Sequence, residues 1–553
     1  MKPFKITLAF AIIIFLAGKI FCDEKSEEVD KLFVNWDTTV SPGAALAIIK
    51  DGKIIYKRGY GMAKLEDNIV MTPSKIFDIG SVSKQFTAAC IAILVKEGKI
   101  SLDDDIRKYI PEMPKYQRPI TIRHLIHHTS GLRDYNALLS FAGFRPDSDC
   151  PTVEEALKII TSQKKLNFAP GEEYSYSNTG YFLMGLIVER VSGKTLNEFA
   201  QENIFKPLGM KNTLFQDDHT QIIKNRASGY SPSEGGYKFN MSNWDEVGDG
   251  NVYTSVEDLY LWDQAFYNHK LGKDLMEMLH TVGELNNGKK IKYAFGLVID
   301  EYKGLRVVQH GGAWAGFRAG FVRFPEEKFS VICLANLSTI NPSNLCFKIA
   351  DIYLADKIRV NEEKKEEPTP ITLSQRELEE KVGNYEEEKY GIWITLSVEE
   401  GRLKMNVYGQ EFILVPLSPS RFKTLNAPLD ISVDFLPQKK GHPLKAILKL
   451  REGEEFNLIR AEPLGNLTPE KLKEYEGEYM SEELLNSIYK FFVEKEELLL
   501  RFRTAPKEPL KPMAPDKFVL GEMSFTFTRD NKGKIKGLKL STARVSGIKF
   551  LKK

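Results

Sequence analysis

Ser81 and Lys84 stand three residues apart in DIGSVSKQFTAAC (78–90), where an apolar helical pattern begins. A serine hydroxyl is a poor nucleophile at neutral pH and needs a base beside it, together with N–H donors for the oxyanion formed on attack. Lysine at i+3 shares the helix face with the serine, and burial lowers its pKa toward the range in which it takes that proton. A serine at a helix N-terminus also has its own backbone N–H free to meet an oxyanion. The pair alone is equally an ordinary polar helix start, since serine is a preferred N-cap. Two further stretches carry the other half of a site. YSYSNTGY holds Tyr176, Ser177 and Asn178 just before a helical pattern, and QHGGAW holds His310, Gly311 and Gly312 at the end of a strand pattern.

The elements that must position these residues follow from hydrophobic period and turn chemistry. GAALAIIKDGKIIYKRGYG has two apolar runs joined by Asp51-Gly52, a strong hairpin signal. Phe86, Ala89, Cys90, Ile93 and Leu94 follow helical spacing after Ser81, with Gly98 as the C-terminal cap. A mostly helical middle includes Thr179 to Val191, closed by Gly193, and a capping start at Ser255 with Asp258 three residues on. GLRVVQHGGAWAGFRAGFVRF and KFSVICLANLS then restore strand character. The expected α+β domain is an antiparallel sheet flanked by helices plus a helical cluster.

The chain has 553 residues, too many for one hydrophobic core, and 77 basic against 75 acidic side chains give no field that would favour a nucleic acid partner. MKPFK followed by ITLAFAIIIFLAG and DEKSEE reads as a signal peptide over 1–22, with export to the periplasm or medium. The apolar core is short for a bilayer span, so no stable span is expected after cleavage. Cys22 is an alternative lipid-attachment point, although the bulky Phe21 before it departs from the usual small residue. Cys90, Cys150, Cys333 and Cys346 show neither a disulfide framework nor a metal pattern, and Cys90 and Cys333 sit in apolar runs as core thiols.

NEEKKEEPTP (361–370) replaces apolar pattern by charge and proline and reads as a linker. Beyond it short strands alternate, with Ile392, Ile394, Leu396 and Val398 on one face and Leu403, Met405 and Val407 on one face of the next. This half repeats: LEEKVGNYE (378–386) pairs with LKEYEGEYM (472–480), PLSPSRF (416–422) with PMAPDKF (512–518), and VDFLPQKKG (433–441) with FTFTRDNKG (525–533). A spacing of roughly 95 residues suits two small antiparallel barrels rather than a solenoid. The expected boundaries are 28–360 for the first domain, 371–462 for the first barrel-like domain and 463–553 for the second.

Ser-x-x-Lys, Tyr-x-Asn and a basic residue followed by glycine on a strand, in that order, resemble the three motifs of the serine β-lactamase and penicillin-binding-protein superfamily. LIHHTSGL (125–132), PLGMKNT (207–213) and YAFGLVI (293–299) are similar to supporting stretches of the same family, and the resemblance covers about Asp37 to Asp356. It is closest to the class C-like branch with esterases and D-amino-acid peptidases. The resemblance implies a β-lactamase-like domain with Ser81 as the acylated nucleophile, Lys84 as its proton partner and Tyr176 relaying a proton to the leaving group. It implies that Asn178 orients Lys84 and bonds substrate, that His310 walls the cleft, that Gly312 lets the backbone approach, and that the N–H of Ala313 completes the oxyanion hole with that of Ser81. No metal or organic cofactor is implied.

Lysine is usual where His310 stands. An unperturbed histidine is mostly neutral at pH 7, so poor binding of carboxylate-bearing substrates is expected, improving as pH falls through the histidine pKa. Histidine there resembles the family's esterases and D-aminopeptidases, and the latter also carry two small barrels after the catalytic domain. The expected function is an exported serine hydrolase for a small ester, amide or short peptide. A D-Ala-D-Ala carboxypeptidase or β-lactamase, and a catalytically silent ligand-binding surface protein, are the alternatives. His124, His127 and His128 read as structural, Tyr174 lacks asparagine at the right offset, and Trp314 is either a pocket wall or plain core.

Overall fold

In the computed structural model, which describes residues 24–145, 148–358, 370–424, 431–451, 454–503 and 506–553, the hairpin at Asp51-Gly52 is formed with φ of +48° and +77°. Two successive positive φ values match the twist of antiparallel strands. The leader, Cys22 and the linker up to residue 369 lie outside the described residues.

The hairpin strands β1 (Ala44–Lys50) and β2 (Lys53–Tyr60) join β3 (Val298–Tyr302), β4 (Leu305–Trp314), β5 (Phe317–Phe324) and β6 (Phe329–Ala335) in one antiparallel sheet of order β3-β4-β5-β6-β1-β2. The first strand thus pairs with the last, Ala44 opposite Ala335. Ala44 to Ile49 are all buried because helices cover both faces. Ala45, Ala47 and Ile49 belong to the core shared with Leu259 and Trp262 of helix Val256–Asn268. Ala44, Leu46 and Ile48 belong to a second core with Val29 of helix Glu24–Lys31 and Leu345 and Ile349 of helix Pro342–Tyr353. Each fully buried Leu or Ile adds roughly 1.5–3 kcal/mol to this sandwich.

The expected helix at Ser81 begins later than its apolar pattern suggests. Gly80–Ser83 form a turn of 3₁₀ helix, and the α-helix runs Lys84–Lys96, packing on helix Asn178–Ser192. Asp78 sets this turn by accepting from the Gly80 amide at 2.8 Å. Ser83, buried, accepts from the Val252 amide at 3.1 Å. Helix Asn178–Ser192 ends on Gly193 at φ +71°, a left-handed C-cap that glycine adopts at low cost. Ser255 Oγ accepts from the Asp258 amide at 3.2 Å and opens Val256–Asn268.

The C-terminal region holds two closed or nearly closed antiparallel sheets, an eight-stranded barrel (Gly383–Arg460) and a nine-stranded sheet (Gly477–Lys552). Their repeat is visible at one device. Tyr385 and Tyr479, both fully buried, each donate to the carbonyl four residues back, Lys381 O and Tyr475 O, at 2.8 Å. Trp393 breaks the in–out alternation of its strand because it faces the second sheet, its Nε1 donating to Ser524 Oγ at 3.1 Å.

The second sheet also reaches the first domain. Arg133 pairs with Glu483 at 2.7 Å, their side chains only 2% and 7% exposed, and donates to Ser546 O at 2.6 Å. Asn167 clamps the hairpin between strands Ile535–Thr542 and Val545–Lys552, donating to Arg544 O and accepting from the Ser546 amide, both at 2.9 Å.

Candidate active site

A cavity of about 1110 Å³ is lined by Ser81, Tyr176, Asn178, His310, Gly312, Ala313 and Trp314 among others. These come from the 3₁₀ turn, the start of helix Asn178–Ser192 and the end of β4. Lys84 lies just behind the lining, fully buried, and Nζ donates to Ser81 Oγ at 3.0 Å, Asn178 Oδ1 at 2.8 Å and Asp249 O at 2.7 Å. Burial pushes its pKa down, against the pull of the Asp249 and Asp134 carboxylates.

Two glycines let β4 approach the nucleophile's turn. A Cβ on Gly312 would stand 1.9 Å from Ile79 O, and one on Gly80, at φ +50°, would stand 2.7 Å from the Ala313 amide nitrogen. Backbone contact this close admits no side chain, and it sets the Ala313 amide against the turn that carries Ser81.

The Tyr176 ring packs against His128, centroids 4.2 Å apart and planes tilted by 35°, with Lys84 Nζ 5.0 Å from its centroid. Its hydroxyl is buried and, among the described residues, makes no hydrogen bond of normal geometry, although it lies close enough to Ser81 to feel that hydroxyl. Burial raises the phenol's pKa, and Ser81 and Arg544 oppose the rise.

His310 lines the cavity, but its imidazole is not the unperturbed one expected. It is buried, Nε2 lies 3.0 Å from Tyr293 Oη, and Nδ1 lies 2.6 Å from Gly311 O. Burial, with Lys84 nearby, pushes its pKa down to about 4. Its protonation is therefore moved out of the neutral range in which a substrate carboxylate was expected to feel it. Trp314 is fixed as a wall by donating to Ser242 Oγ at 2.7 Å and packing 5.1 Å from Trp244.

Several residues that place the motif were not visible from spacing. Asp134 accepts from the amides of Asn136 (3.1 Å) and Ala137 (3.3 Å), which caps its own helix, and from the Asn178 amide at 2.8 Å, so one carboxylate staples two helix starts. Tyr135 donates to Asp249 Oδ1 at 3.1 Å. His128, at φ +56°, accepts from the Ser177 amide at 3.2 Å and supports Tyr176 from below. His127 Nδ1 meets Tyr293 O at 3.1 Å, and His124 completes the capping box of its helix with Thr121. Asp134 borders the LIHHTSGL stretch, but its bond to Asn178 is tertiary.

The residue furthest from sequence reach is Arg544. Its guanidinium carbon stands 5.1 Å from the Tyr176 centroid, at the tip of the last domain's hairpin, and it lines the cavity with Thr542 and Ala543. Among the described residues its guanidinium has no acidic partner within ion-pair distance. A permanent cation thus stands beside the residues expected to handle the leaving group.

The sequence profile of the Beta-lactamase family matches residues 29–345. A D-aminopeptidase of Brucella anthropi is 27% identical over 527 residues, 90% of this chain and 92% of that protein. Penicillin-binding protein 4* of Bacillus subtilis is 29% identical over 442 residues, 76% and 94% of the two chains. The solved octameric penicillin-binding protein homologue from Pyrococcus abyssi superposes with a TM-score of 0.53 at 26% identity, over 79% of this chain and 98% of its own.

Proposed function

From the premise that the chain belongs to the β-lactamase family and is a serine hydrolase, we propose that it acts through an acyl-enzyme on Ser81 and cleaves short peptides or amides in the manner of a D-aminopeptidase. The observation that carries this is the hydrogen bonding of Lys84. Asn178 Oδ1 and Asp249 O only accept, so when Lys84 loses the proton it donates to Ser81 Oγ, the neutral amine gives them its two remaining hydrogens and turns its lone pair toward Ser81 Oγ. Burial favours that neutral form.

Ser81 Oγ gives its proton to Lys84 and attacks the carbonyl, whose oxygen takes up charge between the amides of Ser81 and Ala313. The Tyr176 hydroxyl, buried beside Ser81, gives its proton to the departing nitrogen as the C–N bond breaks and is reprotonated by Lys84, which returns to its neutral form; the same groups then activate water for deacylation. His310 is a positioning residue on β4, held neutral by burial.

The D-aminopeptidase relative spans both C-terminal domains, which favours an amide or peptide substrate over a simple ester. Arg544 supplies the fixed cation that His310 does not, and it lies against Tyr176, on the side where the leaving group departs. This revises the expectation that anionic substrates bind poorly: a carboxylate on the leaving amino acid is the group Arg544 suits. Export rests on the leader sequence alone and is tested by fractionating cells that express the full chain. The hydrolytic reading is tested by turnover of D- and L-amino-acid amides, with D preferred. A protein that releases product from neither, and from no activated ester, does not have this function.

A further inference from the structure

Outside the catalytic cavity three loops distant in sequence bring together a thiol, an imidazole and a carboxylate. Cys150 precedes helix Val153–Thr161, His219 follows strand Leu214–Phe215, and Asp245 lies in the segment leading to strand Val252–Thr254. Cys150 Sγ is 3.7 Å from His219 Nδ1 and 3.7 Å from Asp245 Oδ2, and His219 Nδ1 is 3.0 Å from Asp245 Oδ2. Around a tetrahedral zinc at its usual bond lengths, S, N and O donors stand about 3.3–3.6 Å from one another. The measured triangle scatters about those edges, so one ion reaches all three donors with side-chain adjustment alone.

Carboxyl groups stand around the Cys150 thiol, and Asp245, Glu246 and Glu155 all bear on it. Glu246 is 3% exposed and, among the described residues, neither of its carboxyl oxygens has a hydrogen-bond partner. A His219–Asp245 staple alone would not use the thiol. Cys90, Cys333 and Cys346 are buried, whereas Cys150 is exposed, so the fourth corner of the site faces solvent.

We propose that Cys150, His219 and Asp245 bind one divalent ion of the zinc class, with water in the fourth position. A thiolate donor disfavours magnesium and calcium, and the mixed S, N and O set suits zinc or cobalt. Binding forms an S–metal bond and releases the thiol proton to solvent, so affinity rises with pH. Thiolate and carboxylate together balance the ion's charge. The site sits at the wall of the cavity: Trp244 and Glu246, on either side of Asp245, line it, and Asn251 Nδ2 ties that segment down by donating to Trp244 O at 2.8 Å and Glu246 O at 3.0 Å. The ion would join the loops at 150 and 219 to this wall.

The test is titration of the chelator-treated full chain with cobalt(II), read by absorption. The expected result is saturation at one ion per chain, with a thiolate charge-transfer band and tetrahedral ligand-field bands that zinc abolishes. Cys150→Ser should lose the charge-transfer band, and His219→Gln and Asp245→Asn should each weaken affinity by about tenfold or more. On the unmutated protein, zinc should slow alkylation of Cys150 by about tenfold or more, a readout that needs no variant to fold. Absence of saturable uptake, an octahedral spectrum without charge transfer, or uptake unchanged in Cys150→Ser would each overturn the proposal.

Discussion

The Arg544 guanidinium stands 5.1 Å from the centroid of the Tyr176 ring, so a hairpin near the end of the chain completes a cavity whose nucleophile lies in its first fifth. Lys84 Nζ is 5.0 Å from the same centroid. An arginine and the buried lysine therefore both lie against the tyrosine that is expected to move the leaving group's proton.

Arg544→Ala should cost selectivity more than catalysis. A hydrogen bond to a charged group is worth about 1.5–3 kcal/mol, or roughly ten- to hundredfold in kcat/KM. That loss is expected for a dipeptide with a free C-terminal carboxylate and not for its C-terminally amidated counterpart. Equal losses on the two substrates would remove the carboxylate role and leave Arg544 as packing.

The pH profile should follow Lys84 and not His310. Burial lowers the lysine pKa to about 8, and the neutral amine is the active base, so kcat/KM should rise with pH through about 8 and then level off. Burial holds His310 to about 4, so no histidine-linked step is expected between about pH 5.5 and 8.5. A carboxylate substrate whose kcat/KM improves on acidification through about pH 6.5 would restore the histidine as its partner.

Gly312→Ala should abolish acylation although it adds one methyl group. The new Cβ would meet Ile79 O at 1.9 Å and push β4 away from the turn that carries Ser81. Its measure is the rate of active-site labelling beside the melting temperature. A variant that labels at the normal rate would mean the turn and strand need not approach so closely.

Cutting the linker should not free the first domain. Cleavage within NEEKKEEPTP is expected, because the stretch is charged and proline-bearing, but the pieces should co-elute through the Arg133–Glu483 pair and the Asn167 clamp. Among the described residues Glu483→Ala leaves the Arg133 charge buried with Gln163 and Ser546 O alone, a change that costs about 3–5 kcal/mol when a buried pair loses one member. The cut variant should then dissociate and lose discrimination between free-acid and amidated peptides. Co-elution of the cut variant would place the binding energy elsewhere.

What the sequence made legible is local. The Asp51-Gly52 turn, the Ser255 and Gly193 caps and the paired Tyr385 and Tyr479 each sit within a few residues of the groups they bond. The motif serines, lysine and tyrosine could be read because their types and order carry the chemistry. Asp134, Asp249 and Arg544 could not, since each acts on a residue far away in the chain and has no spacing to betray it. His310 was legible in place but not in state, because its neutrality comes from burial against Tyr293 and Lys84. Trp393 likewise broke the alternation of its strand for a partner in the other sheet.

Tyr176→Phe should keep the fold and cut turnover by about 10²- to 10⁴-fold, the usual contribution of a positioned proton carrier. Thermal unfolding and kcat/KM measured on the same preparation separate the two effects. Full activity without the hydroxyl would take Tyr176 out of the proton path.

The central claim is that Ser81 carries the acyl group, and intact-protein mass spectrometry after brief reaction with a fluorophosphonate or an activated D-amino-acid ester tests it most directly. One adduct per chain is expected, mapped by peptide sequencing to Ser81, absent in Ser81→Ala and slowed by about 10²-fold or more in Lys84→Ala. An adduct on another residue, or one that survives Ser81→Ala in a folded protein, would contradict the account.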